Sequence, residues 1–150
     1  MKENDRMAQV DLSGLELLQS IVNGKAPMPQ MAQTIPMTII SVAPGSVVFT
    51  AIAGQQHLNP LGGVHGGFAA TVLDSVTGCA VHSLLEAGVG YATVDLNVKM
   101  IRPVPRDQEL TAIGKVINMS GRLAVSEGRL QDGAGKILAH ATATCMILRS

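Results

Sequence analysis

The sequence predicts an α+β fold in which one long central helix is wrapped by a curved, mostly antiparallel sheet. Strand-like runs cluster, two before the helix and four after it, instead of alternating with helices as a parallel sheet requires. The run from about Val64 to Glu86 is largely apolar yet contains Thr71, Val72, Val76, Thr77 and Gly78, all poor helix formers. Burial rather than propensity must therefore hold it. Its small residues, among them Gly66, Gly67, Ala69, Ala70, Ser75, Gly78 and Ala80, leave room for strands to approach closely.

In chain order, a first helix is predicted from Ser13 to about Asn23. Ser13-Gly14-Leu15-Glu16 has the form of a capping box, Leu15, Leu18 and Val22 share a face, and Gly24 can end it. The prolines of "KAPMPQMAQTIPM" make the next stretch irregular chain. "MTIISVA" and "SVVFTAIA" form a hairpin around Pro44-Gly45. Beyond the central helix, "GYATVDLNVKMIRPV" alternates. Val94, Leu96, Val98 and Met100 fall on one face, Thr93, Asp95, Asn97 and Lys99 on the other, until Pro103 and Pro105 close the strand. "ELTAIGKVINM" is the next strand, and "RLAVSEGRLQ" pairs with "KILAHATATCMILR" around Asp132-Gly133-Ala134-Gly135.

The 150 residues read as one domain, with a flexible start over residues 1–11. A hydrophobic fraction of 47% against 15% charged residues excludes a disordered chain and leaves apolar surface for self-association. Eleven basic residues balance eleven acidic ones, and the only aromatic residues are Phe49, Phe68 and Tyr91. With neither a phosphate-binding footprint nor a row of stacking rings, nucleic acid is not an expected partner. The polar N-terminus lacks the apolar core of a signal peptide, and no uncharged apolar run reaches the roughly 18 residues of a membrane span. The expectation is a cytoplasmic protein with no membrane partner. Cys79 and Cys145 lie far apart in apolar segments and read as small core residues rather than a disulfide. His57, His82 and His140 share no ligand spacing, so no metal is expected.

The chemistry concentrates in "NPLGGVHGGFAATVLDSVTG", Asn59 to Gly78. A helix start presents unpaired N–H groups and about half a positive charge. With glycine there, no side chain keeps a ligand oxygen from the amide, so the Gly66 N–H can polarise a carbonyl or hold an oxyanion. His65 at the same turn can donate a hydrogen bond. Asp74, among apolar neighbours expected to raise its pKa, can act as general base or nucleophile. Each also has a plainer reading: a tight turn, a structural hydrogen-bonder, a satisfied polar group in the core. Eight residues of helix separate Gly66 from Asp74, about 12 Å of rise. One carbonyl cannot touch both on a single chain, and a site using both would sit between subunits of a two-fold dimer. No nucleophile elbow surrounds Ser75, and "GGVHGG" lacks the lysine of a phosphate loop.

Asn59, His65-Gly66-Gly67 and Asp74, followed by "ATVDLNVKMIRPV", resemble the hotdog-fold acyl-CoA thioesterases. Within them the chain is most similar to the phenylacetate-pathway (PaaI-like) type, related to the Arthrobacter-type 4-hydroxybenzoyl-CoA thioesterases. The resemblance spans Leu12 to Leu148 and implies a hotdog fold that dimerises through its sheet and forms a homotetramer. By that resemblance Gly66 polarises the thioester carbonyl with His65 beside it, and Asn59 positions water or the site's hydrogen bonds. Asp74 of the partner subunit is base or nucleophile, and Thr93 assists at the carboxylate. Gly67, Val64 and Phe68 would contact substrate, and Arg102 and Arg122 are candidates for the CoA phosphates, though both also read as solvated surface arginines. The implied reaction is hydrolysis of an aryl- or medium-chain acyl-CoA to free acid and CoA-SH. No cofactor is implied, since CoA belongs to the substrate. The sequence departs from some relatives at Gly78, where they carry threonine, leaving Thr93 to assist and Thr77 a bystander. Two alternatives stand beside hydrolysis: a non-catalytic acyl-CoA-binding or regulatory module, and a hotdog hydratase or dehydratase.

Overall fold

Ser13 caps the first helix as its spacing predicts: its Oγ accepts from the Glu16 N–H at 3.3 Å, and the Glu16 carboxylate accepts from the Ser13 N–H at 2.8 Å. The computed structural model describes residues 11–149, so the expected flexible start lies, but for Asp11, outside the described residues. Two short helices come first, α1 (Gly14–Val22) and α2 (Met31–Thr34), followed by the strands β1 (Met37–Ala43) and β2 (Ser46–Ile52). A single 3-10 turn (Gln55–His57) then leads to α3 (Gly66–His82). Four strands complete the fold: β3 (Gly90–Met100), β4 (Glu109–Ser120), β5 (Leu123–Gln131) and β6 (Ile137–Leu148).

The strands form one antiparallel sheet in the order β1-β2-β4-β5-β6-β3. α3 packs along its inner face, touching β2 to β6, and buries residues on nearly all its sides, including Phe68, Val72, Leu73, Val76 and Val81. Each such side chain stabilises the fold by about 1.5–3 kcal/mol, far more than the helix loses through its poor formers. This is the hotdog fold, α+β. The sheet curls because the pairing skips Ile40, Val94, Ile117 and Leu138 in four different strands. Bulges of this kind bend a strand and increase its twist.

Three local expectations change. The proline-bearing stretch expected to be irregular holds the single turn of α2, closed by the Ile35 N–H donating to the Met31 carbonyl at 2.9 Å. The central helix is shorter than Val64 to Glu86. Val64 bridges to Leu58, and Ser83 ends the helix by donating its hydroxyl to the Ala80 carbonyl at 2.7 Å. In β3 the bulge at Val94 breaks the single alternation. Val94 is 55% exposed, while Thr93 joins the partly buried, inward set with Tyr91, Leu96 and Val98. Close approach also comes from the strands and not from the helix alone: a Cβ on Gly114 of β4 would collide with the Val76 carbonyl.

No helix among the described residues is long and apolar enough to cross a membrane, and no cluster of three His, Cys, Asp or Glu among them could hold a metal ion. Cys79 and Cys145 are free thiols.

Candidate active site

The loop before α3 is built by its own polar groups. Asn59 Oδ1 accepts from the N–H groups of Leu61 (2.9 Å) and Gly63 (3.2 Å), closing the "NPLGG" turn. His57, nearly buried, accepts from the Gly54 N–H at its Nδ1 and donates from Nε2 to the Thr34 carbonyl, both at 2.8 Å. Its own carbonyl accepts from the His65 N–H at 2.7 Å, which fixes where α3 begins.

His65 is the N-cap residue of α3, and its Nδ1 accepts from the Gly67 N–H at 2.8 Å. Its ring hydrogen therefore sits on Nε2, on an exposed side chain, where a ligand can use it. The bond also closes off Gly67 and leaves the Gly66 N–H as the first-turn donor with no acceptor among the described residues. That donor opens on a groove of about 330 Å³ lined by Val64, Gly66, Met100, Ile101, Arg102 and Pro103. A Cβ at position 66 would stand 3.2 Å from the Met100 methyl, so glycine keeps the groove clear. Arg102, exposed, donates from Nη1 to the Ile137 carbonyl at 2.6 Å.

Asp74 lies elsewhere, in the wall of a separate cavity of about 190 Å³ with Ser75, Cys79, Tyr91 and Thr93. Its Oδ1 is buried and has no hydrogen-bond partner among the described residues. A buried carboxylate oxygen without a donor is costly and calls for an explanation. Around it, burial first and then the Asp74 charge push the Cys79 thiol up to about 12. Burial, with smaller contributions from Cys79, Cys145 and Asp74, likewise raises the Tyr91 phenol. Cys145 is raised chiefly by burial, against an opposing hydrogen bond from Thr93. All three stay protonated near neutral pH, so the thiols are not nucleophiles and the carboxylate is the one base available there.

The predicted residues thus fall into two groups. Gly66, Val64 and Arg102 share the groove, with His65 and Gly67 at its helix start; Asp74 and Thr93 share the cavity. Phe68 belongs to neither. It is 2% exposed and packs against the His57 ring, centroids 5.2 Å apart. Arg122 is exposed at the β4–β5 turn, its carbonyl accepting from the Ile147 N–H. Ile147 pairs with Tyr91 near the start of β3, whereas the groove lies at its end, roughly 30 Å of strand away. Thr77 donates its hydroxyl to the Leu73 and Asp74 carbonyls and packs in the core.

Tyr91 was not among the predicted site residues, and it explains Gly78. A Cβ at position 78 would stand 2.8 Å from the Tyr91 hydroxyl and 2.9 Å from its ring. The tyrosine fills the space a threonine would need. Its signal in the sequence was faint: a lone aromatic two residues before Thr93.

A family model described as the thioesterase superfamily matches residues 61–139. Human acyl-coenzyme A thioesterase 13 is 29% identical over 105 residues, 69% of this chain and 74% of that protein. A phenylacetic acid degradation-related protein from Ralstonia eutropha JMP134 superposes with a TM-score of 0.78 at 33% identity. It covers 86% of this chain and 98% of its own. A thioesterase protein of Streptococcus pneumoniae TIGR4, solved with coenzyme A, gives a TM-score of 0.69 at 26% identity over 76% of this chain and 91% of its own.

Proposed function

The chain belongs to the thioesterase superfamily and is a thioester hydrolase, and from that premise we propose that it cleaves acyl-CoA at a site shared between two subunits. The observation that carries this reading is the buried, partnerless Oδ1 of Asp74 beside an apolar cavity. A carboxylate oxygen held there without a donor has its lone pairs open to a water.

The groove at Gly66 is the place for the carbonyl. Its N–H, at the positive end of α3, hydrogen-bonds the thioester oxygen and holds the negative charge that develops when the carbonyl carbon is attacked. His65 Nε2 is a second donor at the same mouth, and Asn59 serves by fixing the loop that aims both. Arg102 on the groove supports CoA lying along this side, and a Streptococcus pneumoniae relative was solved with coenzyme A. In the reaction Asp74 takes a proton from water and the resulting hydroxide adds to the carbonyl carbon. The tetrahedral intermediate then expels the CoA thiolate, which recovers the proton from Asp74. Thr93 and Tyr91 are hydroxyl donors that can hold the water. Direct attack by Asp74 would instead give an anhydride, and single-turnover hydrolysis in heavy-oxygen water would then label the Asp74 carboxylate where water opens the anhydride at the Asp74 carbon.

β3 supports the shared arrangement. It is an edge strand eleven residues long, with Val94 and Met100 exposed at 55% and 53% among the exposed Asp95, Asn97 and Lys99, and with Ile101 exposed just past its end. An open sheet edge of this length is a template for pairing with another chain. Antiparallel pairing of two β3 strands about a two-fold axis sets the end of one against the start of the other. Gly66 and Arg102, at the end of β3, then face Asp74, Tyr91 and Thr93 of the second copy.

The test is thiol release from a panel of aryl- and alkyl-CoA esters, with Asp74→Ala alongside. Removing the base should lower the rate by about 10²–10⁴ while the melting temperature is kept. Wild-type turnover in the variant sinks the assignment. Tight CoA-ester binding with no turnover in the native protein would point to a binding module instead.

A further inference from the structure

His57 is the one buried histidine, 7% exposed, and no step written above uses it. Its ring is bonded on both sides. Nδ1 accepts from the Gly54 N–H, so the ring hydrogen is on Nε2, which donates to the Thr34 carbonyl at the end of α2. The same residue meets the start of α3 twice. Its carbonyl accepts from the His65 N–H at 2.7 Å, and its ring packs on Phe68 in the first turn. His65 and Phe68 flank Gly66 in the chain.

The bond to Thr34 differs from the other bonds of this loop. Asn59 closes on Leu61, Gly62 and Gly63, and Leu58 bridges to Val64. Among the described residues, the His57–Thr34 bond is the one hydrogen bond that ties residues 56–64 to anything beyond the loop from Gly54 to His65. A loop closed on itself can tilt as a unit and carry the helix start with it. Pinned across 23 positions at Thr34, it cannot.

Resting on the Gly66 reading above, we propose that His57 is a positioning residue: its bond to Thr34 sets the direction in which the Gly66 N–H points. A backbone donor has no rotamer to adjust, so whatever seats the helix start aims it. Gly66 and Gly67 have no side chains to wedge against the sheet. The seating falls to His57, through His65 on one side and Phe68 on the other. The oxyanion forms only in the transition state, so a mis-aimed donor costs rate rather than binding, and a shift of about 1 Å can cost about 100-fold. Histidine suits the place because its two nitrogens accept on one side and donate on the other. Asparagine can keep only the acceptor for Gly54, and glutamine only the reach to Thr34.

The experiment measures kcat and KM for one hydrolysed acyl-CoA in the native protein, His57→Asn and His57→Gln, and repeats His57→Asn in the Gly66→Pro background. His57→Asn should lower kcat by about 10- to 100-fold with KM within about twofold, and His57→Gln should keep kcat within about threefold of native. In the Gly66→Pro background the donor is already gone. His57→Asn should then cost nothing further, because two changes acting through one group do not add. A merely structural role would lower kcat equally in both backgrounds, and that result overturns the proposal. So does native kcat in a folded His57→Asn variant, or a His57→Gln variant as slow as His57→Asn. Thermal melts identify a variant that fails to fold. If His57→Asn is one, His57→Gln decides alone: near-native kcat supports the Thr34 bond, and a loss of about tenfold or more overturns it. Undiminished kcat in Gly66→Pro removes the Gly66 donor and the role of His57 with it, while thioester hydrolysis stands.

Discussion

Gly66 does two jobs that can be separated by substitution. It leaves the groove open, and it supplies a backbone donor at the first residue of α3. Proline is well tolerated at that position, and His65 before it is extended (φ −62°, ψ 136°), as a residue preceding proline must be. Gly66→Pro should therefore keep the helix and delete the N–H, and Gly66→Ala, which puts a Cβ at the same 3.2 Å from the Met100 methyl but keeps the N–H, is its control for crowding of the groove. Loss of one oxyanion donor lowers kcat by about 10²–10³, so kcat in that range with an unchanged melt is expected. Retained kcat would remove the Gly66 amide from the mechanism. At this scale the sequence was legible where a residue's backbone role is local. The capping box and the His65-Gly66-Gly67 helix start could be read directly, because three or four adjacent residues determine them. Tyr91 could not, since its meaning comes from a contact with Gly78 across the fold. Phe68 could not be placed either, because an aromatic beside a candidate site looks like a pocket wall, and packing sends it to the core.

At the scale of elements, the helix and strands were readable from periodicity, whereas the bulges were not. Nothing in "GYATVDLNVKM" marks Val94 as the extra residue, yet that bulge turns Thr93 inward to the cavity of Asp74. The fit of α3 in its sheet rests on positions such as Gly114, where the obstacle to a side chain is backbone and cannot rotate away. Gly114→Ala should destabilise the fold by about 1–3 kcal/mol, seen as a melting temperature lower by several degrees; an unchanged melt would mean the helix is less tightly seated. The last turn of α3 carries a pH response. Burial lowers the pKa of His82, whose ring lies 5.5 Å from that of Tyr91. The unfolded chain then takes up the proton first, so this contribution is full above pH ~6.5 and declines as pH falls below it. Chemical denaturation should show stability falling with acid through that window, and a flatter slope in His82→Gln. An equal slope in both would place the titration elsewhere.

The whole molecule keeps Gly66 and Asp74 apart. Gly66 and its groove lie at one end of β3, Asp74 and its cavity toward the other, and α3 rigidly holds the distance between them. That one carbonyl cannot reach both Gly66 and Asp74 of a single chain was readable from spacing alone, because helix rise is the same in every protein. The means of supplying a second copy were not, since an edge strand is defined only once the sheet order is known. In the proposed arrangement the open β3 edge gives that means, and pairing it would complete both sites at once. The most direct measurement is complementation between two inactive chains. Asp74→Ala and Gly66→Pro are expressed together under different tags, and the hybrid dimer carrying both tags is isolated. Its Gly66 comes intact from the first chain and its Asp74 intact from the second, so one of two sites is whole and thioester hydrolysis should return to about half the wild-type rate per dimer. A hybrid as inactive as its parents would show that Gly66 and Asp74 do not meet across subunits, and would contradict the shared site.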